Sequence, residues 1–202
     1  MSIEELSNIP EERLKNYASL LDRASQIQSG ELARAGFMDF VKLAWPEFIN
    51  GRHHRTMAEK FDKLAKGEIK RLIVNMPPRH TKSEFASFLL PAWMMGNDPR
   101  LKIMQTTHTA ELGFRFGRKV RNLMNSDEYK ILFPGVTLRA DSQAAGRWET
   151  NDGGEYFAAG VGGAVTGRGA DLLIIDDPHS EQDALSPMAL ENAYEWYTSG
   201  PR

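Results

Sequence analysis

Residues 71–83, Arg-Leu-Ile-Val-Asn-Met-Pro-Pro-Arg-His-Thr-Lys-Ser, restrict the fold of this chain more than any other stretch. The apolar run 72–74 reads as a short buried strand. It breaks at Met76-Pro77-Pro78, and apolar residues resume at helical spacing after Lys82-Ser83, at Phe85, Ala86, Phe88, Leu89 and Leu90. Strand, tight loop, Lys-Ser and helix is the layout of a phosphate-binding loop of Walker A type. In such a loop the backbone N–H groups and the positive end of the helix dipole face the phosphates. That layout assigns Pro78, Arg79, His80, Thr81, Lys82 and Ser83 to nucleotide binding. Lys82 is expected to reach the β- and γ-phosphates, Ser83 to ligate Mg²⁺ through its hydroxyl, and Arg79 to sense the γ-phosphate in cis. The pattern Gly-x-x-x-x-Gly-Lys-[Ser/Thr] has glycine where this chain has Met76 and Thr81. Glycine takes positive φ without strain and threonine does so reluctantly. Alone, the stretch therefore also fits a strand-to-helix turn that happens to carry Lys-Ser.

A second stretch, 170–178, favours the phosphate reading. Leu172, Leu173, Ile174 and Ile175 read as a fully buried strand, with Asp176 and Asp177 where it would emerge from a sheet. In phosphate-loop enzymes a carboxylate at such a strand end, the Walker B position, holds Mg²⁺. A neighbouring acid can orient and deprotonate the attacking water. Asp176 is thus the expected metal-side acid and Asp177 the expected catalytic base. Asp-Asp-Pro is also ordinary turn chemistry.

Together these stretches resemble the large terminase subunit of tailed double-stranded-DNA phages, the ATPase that packages the genome. The resemblance is carried by Trp45-Pro46, by Pro-Pro-Arg-His-Thr-Lys-Ser-Glu at 77–84, and by Pro91-Ala92-Trp93. It continues in Gly-Gly-Ala-Val-Thr-Gly-Arg-Gly-Ala-Asp at 162–171, which leads into Asp176-Asp177-Pro178, and it covers residues 35–202. It implies Mg²⁺-dependent ATP hydrolysis that drives double-stranded DNA into a procapsid. The implied partners are a portal protein, a small terminase subunit and further copies of the chain in a ring. The implied location is the host cytoplasm, transiently at the procapsid portal vertex. The region before the loop would help hold adenine, so Trp45 or Phe48 would stack on the base unless they are core aromatics. Many family members have glycine at the position of Thr81. The resemblance also implies a further strand with a coupling threonine and a separate nuclease domain, and neither lies within residues 1–202.

The formal net charge of −2 gives no global attraction to nucleic acid, so contact with DNA needs a local patch. Arg115, Arg118, Lys119 and Arg121 offer one, on a helix expected at 110–124, although such a run is equally a solvated helix face. With no cysteine there is no disulfide or thiolate metal site, in keeping with a reducing cytosol. No apolar run has the length of a membrane span, and residues 1–10 lack the basic and apolar regions of a signal peptide. His53 and His54 are neighbours without an acid at ligand spacing, so no metal site built from protein groups alone is expected.

Helical spacing places helices at 11–29, ended by Gly30, then at 31–44, 53–66 and 110–124, and a last one opened by Ser186-Pro187. Residues 101–106 read as a strand inserted between the two site stretches, which marks the branch of phosphate-loop folds that includes translocases, helicases and recombinases. Two short strands around Asp152-Gly153-Gly154 read as a hairpin. The glycine-rich run 161–169 is a second anion cradle or a mobile loop. In ring ATPases a neighbour's arginine completes the transition-state charge, worth about 10³- to 10⁵-fold in rate. Arg168, in this run, is the first candidate for that role, with Arg139 and Arg147 behind it.

The expected fold is α/β: a phosphate-loop NTPase of the additional-strand type, with a mainly parallel sheet flanked by helices and an N-terminal helical extension. Residues 1–69 form that extension and an adenine-side lid, unless those helices simply cap the sheet or dock a partner. Residues 70–202 form the ATPase core, cut short at its C-terminal end. Two other functions stay open: a helicase-like nucleic-acid translocase, and a catalytically weak nucleotide-binding assembly module.

Overall fold

The computed structural model describes residues 11–165 and 167–200. Expectations for residues 1–10, for Thr166 in the glycine-rich run, and for Pro201-Arg202 lie outside them. The chain divides into two compact units, 1–49 and 50–202. The helix expected at 53–66 therefore belongs with the residues that follow it.

In the first unit, helix α1 (Glu11–Ala35) runs through Gly30, and the break expected there falls at Gly36. A lone glycine inside a helix costs about 1 kcal/mol against alanine and is often tolerated. Gly36 instead takes an extended conformation, φ −135° and ψ 132°, and caps α2 (Phe37–Ala44). Phe37, Phe40 and Val41 lie on one face of α2 and are buried, whereas Leu14, Tyr17, Leu20, Leu21 and Ile27 of α1 are exposed. Among the described residues no helix is long and apolar enough to cross a membrane.

The second unit opens with α3 (Arg52–Ala65), which buries His54, Met57, Ala58 and Phe61 at helical spacing. The run 72–74 has no regular secondary structure and lies outside the sheet, and Ile73 is 86% exposed. The buried strand expected there does not form: alternate residues of 71–76 face solvent, so the apolar run covers one side only. A continuous helix follows the loop. Its first part, Glu84–Leu89, is π-helical, and it continues as α4 (Leu90–Asn97). Single π turns inside helices often accompany functional sites.

The remaining strands are β1 (Lys102–Thr107), β2 (Leu138–Ala144), β3 (Arg147–Thr150), β4 (Glu155–Gly160) and β5 (Leu172–Ile175). They form one five-stranded sheet in the order β2-β3-β4-β1-β5. β1 is parallel to both β4 and β5, while β2 and β3 join antiparallel. The sheet is thus mixed and not the mainly parallel one expected, with its parallel part confined to β4-β1-β5. The hairpin expected around Asp152-Gly153-Gly154 is β3-β4, with Trp148 opposite Tyr156. As an edge strand, β5 leaves Leu173 partly buried and Ile175 39% exposed, so the expectation of a fully buried strand does not hold at those two residues.

Between β1 and β2 lie α5 (Ala110–Met124) and α6 (Asp127–Leu132); α7 (Pro187–Ser199) ends the described chain. Thr109 and Ser126 cap α5 and α6, and Ser186 caps α7, each accepting a hydrogen bond from a first-turn N–H. On one face of the sheet α5 lies close to β4: a Cβ at Gly117 would sit 2.4 Å from the Ala145 carbonyl oxygen and 2.8 Å from the Tyr156 ring. On the other face Met104 and Ala159 pack with Val165 of the glycine-rich run and Trp196 of α7, whose indole N–H donates to the Gly163 carbonyl at 3.1 Å.

Candidate functional site

The parallel strands end together, and β5 delivers two carboxylates there. Asp176 is 6% exposed and continues the β1 pairing, its N–H donating to the Thr106 carbonyl at 2.9 Å. Its Oδ2 accepts from the Ser87 hydroxyl at 2.8 Å, and that Ser87 oxygen accepts from the Gln105 amide at 3.1 Å. Ser87 and Gln105 are fully buried. A buried carboxylate needs such donors, since an unpaired one is strongly disfavoured. Ser87 sits in the π-helical turn after the loop, so this polar chain ties that helix to the end of β5. Asp177, at φ 45°, turns outward and has a 61% exposed side chain. Its carbonyl accepts from the His108 N–H at 3.2 Å.

Lys82 reaches this pair from the loop. Its ammonium lies 2.5 Å from Asp177 Oδ1 and 3.9 Å from Asp176 Oδ1. The two sequence stretches therefore converge on one cation between two acids. The first helical hydrogen bond after the loop runs from Phe85 N–H to the Thr81 carbonyl at 3.0 Å. The N–H groups of Lys82, Ser83 and Glu84 precede that bond, as first-turn donors do. Glu84 is held by Lys119 at 2.6 and 2.8 Å, with the ammonium 4.7 Å from the Phe88 ring. Of the four α5 cations expected to form a patch, Lys119 is thus engaged at the loop helix, and Arg121 donates to the Gln143 carbonyl. Arg115 and Arg118 stay exposed.

The loop carries two left-handed residues, Arg79 at φ 64° and Thr81 at φ 60°, the second at a position where the pattern has glycine. For a β-branched residue this region costs about 1–3 kcal/mol and persists only where the surroundings enforce it. Thr81 is held on both sides of its hydroxyl, by His54 Nε2 at 2.6 Å and the His80 carbonyl at 2.6 Å. The His80 ring folds back, its Nδ1 2.8 Å from the Pro78 carbonyl oxygen. Neither Met76 nor Thr81 prevents the loop from turning.

Trp45 belongs to the first unit, where it packs on Phe48 with ring centroids 5.4 Å apart. Arg168 lies at the opposite end of the parallel strands from Lys82. Its guanidinium donates to Glu155 Oε1 at 3.0 Å and covers the Phe157 ring at 4.0 Å. Arg147 shares Glu155, and Arg139 pairs with Asp141 and Glu149. Sequence reasoning passed over Ser87, Gln105 and the loop-facing role of His54. The signal for the first two was a polar residue on an otherwise apolar inward face.

Burial, and then the neighbouring His53 and His80, hold the His54 imidazole below its ordinary pKa of 6.5. A folded state that binds fewer protons than the unfolded chain gains stability as pH rises. The neutral ring's contribution is therefore complete above about pH 6.5 and is lost progressively as pH falls from there toward the lowered value. Melting temperature is expected to fall between pH 7.5 and 5.5 more steeply in the wild type than in His54→Gln, which cannot titrate. Equal slopes in thermal denaturation series would refute this.

In comparisons with known proteins, no family model and no curated relative matched this chain.

Proposed function

We propose that this chain is the ATP-hydrolysing portion of a DNA-packaging motor of the large-terminase kind. The observation that carries the catalytic part is the meeting of Lys82 with Asp176 and Asp177 at the carboxyl ends of the parallel strands. Phosphates bind at loop–helix junctions through backbone N–H groups and a lysine. The packaging part rests on the motif resemblance alone.

The donor set suits a hard cation: the Ser83 hydroxyl and the Asp176 carboxylate would supply oxygen ligands, and Mg²⁺ is usually held by one or two carboxylates plus substrate phosphates. When bound, the metal supplies charge neutralisation on the phosphate oxygens. The protein's own groups do the rest. Ser87 and Gln105 fix the Asp176 carboxylate. The triphosphate competes with Asp177 for the Lys82 ammonium, and the released carboxylate accepts a proton from the attacking water. Arg79 offsets developing charge from the loop. A neighbour's Arg168, once released from Glu155, does so in trans. Positioning and electrostatics supply most of the acceleration in such sites.

The Lys82–Asp177 ion pair also favours a second reading, a nucleotide-binding assembly module in which the base stays paired and turnover is minimal. ATP hydrolysis measured against protein concentration, with and without Mg²⁺, separates the two. Metal-dependent turnover that rises more steeply than linearly and is lost in Lys82→Ala, Asp177→Asn and Arg168→Ala supports the ring ATPase. Binding without turnover above the Asp177→Asn background supports the module. No binding at all rejects the phosphate-loop assignment.

A further inference from the structure

We propose that His54 is a positioning residue for the phosphate loop, holding Thr81 in the left-handed conformation that glycine would adopt unaided. The inference rests on the nucleotide-binding reading of that loop and adds a residue to it. Gly51, the N-cap of α3, donates its N–H to His54 Nδ1 at 2.9 Å. An imidazole that accepts at Nδ1 carries its proton on Nε2 in the neutral form. That proton therefore points to Thr81 Oγ1, 2.6 Å away, and the Thr81 hydroxyl passes its own proton to the His80 carbonyl, 2.6 Å away. The direction of every bond in the chain is fixed, from the start of α3 into the loop.

The position of Thr81 gives this chain its consequence. At φ 60° it adopts a conformation that threonine avoids, and its carbonyl closes the first turn of the following helix by accepting from Phe85. Lys82 is the next residue, so any relaxation of Thr81 moves the ammonium and the first-turn N–H groups together. His54 suits a fixed anchor, being 6% exposed on the inward face of α3 with its ring 5.2 Å from that of Phe85. A glycine at position 81 would need no anchor, because positive φ costs it nothing.

This makes the effect of His54 conditional on Thr81, which a double-mutant cycle measures. The full chain and its variants His54→Ala, Thr81→Gly, their combination and His54→Gln are titrated with a fluorescent ATP analogue and Mg²⁺, with urea unfolding run alongside. His54→Ala is expected to weaken nucleotide binding about tenfold, the scale of one lost buried hydrogen bond. In the Thr81→Gly background the same change is expected to cost less than about twofold. His54→Gln, whose amide can donate to Thr81, restores most of the affinity. If His54→Ala does not fold, His54→Leu fills the space beside Phe85 without a donor and takes its place. Equal losses in both backgrounds, or no rescue by His54→Gln, overturn the proposal while leaving nucleotide binding intact. A wild type that binds no nucleotide overturns the proposal and the proposed function together.

Discussion

Asp177→Asn is expected to lower ATP turnover about 10²- to 10⁴-fold, the usual contribution of a positioned general base, while nucleotide affinity stays equal or tightens. The two effects have opposite signs because Asp177 does two things. In the proposed mechanism its carboxylate is the proton acceptor, and in this structure it also holds the Lys82 ammonium at 2.5 Å. Asparagine keeps the shape but loses the charge, so the contact with Lys82 keeps one charged partner and loses the attraction between opposite charges. The phosphates then face a weaker competitor. Lys82→Ala is expected to differ in affinity, which falls because the cation is gone, and turnover falls with it. A drop in kcat accompanied by a lower KM marks removal of a ground-state competitor, whereas losses in kcat/KM through KM alone mark lost binding. Single-turnover hydrolysis with equilibrium nucleotide titration reads both. If Asp177→Asn binds nucleotide as weakly as Lys82→Ala, the ion pair supports the loop and is no competitor for the phosphates. If it turns over at the wild-type rate, Asp177 is not the base.

What could be read from the sequence was what local patterning determines. The 3.6-residue period gave α5 its bounds, Ser186-Pro187 opened α7, and Asp152-Gly153-Gly154 turned β3 into β4. The meeting of Lys82 with Asp176 and Asp177, far apart in the chain, was legible only because two motifs implied one ligand. Where tertiary context decided, the sequence misled. Gly30 was a plausible stop, yet a single glycine carries too small a penalty to break α1. Leu72, Ile73 and Val74 look like a strand, but a strand needs a pairing partner, and these residues lie outside the sheet. The location of Arg168 follows from connectivity, a source the motif did not draw on. Since β4 and β5 are parallel, residues 161–171 must carry the chain back to the amino ends of the strands. An arginine near the end of that return lies opposite the loop. There it meets Glu155 and Phe157, away from Lys82.

Trp148→Ala is expected to destabilise the second unit by about 3–5 kcal/mol, the range for removing a fully buried large aromatic. Trp148 is 0% exposed and stacks on Tyr156 with centroids 5.0 Å apart and planes 2° from parallel. Its indole N–H donates to the Gly117 carbonyl at 3.1 Å, at the point where a Cβ on α5 would collide with the sheet. One side chain thus fastens the antiparallel β3 to β4 and to the helix above. Trp148→Phe keeps an aromatic ring and loses the hydrogen bond, so its bonding cost is about 1 kcal/mol, with a smaller packing loss added. Tyr156→Phe supplies the control. The buried Tyr156 hydroxyl has no partner among the described residues, and burial pushes its pKa up. Deleting it removes an unsatisfied polar group, so stability should stay level or rise. Urea unfolding at constant m-value gives the three differences directly. Because β4 lies between β3 and β1, and β1 carries the Thr106 carbonyl that accepts from Asp176, the Trp148 anchor is expected to act on the site through stability alone. At temperatures where Trp148→Phe is folded, its nucleotide affinity should match the wild type. A loss of affinity in folded Trp148→Phe would instead mean that the hairpin tunes the carboxyl ends of the parallel strands.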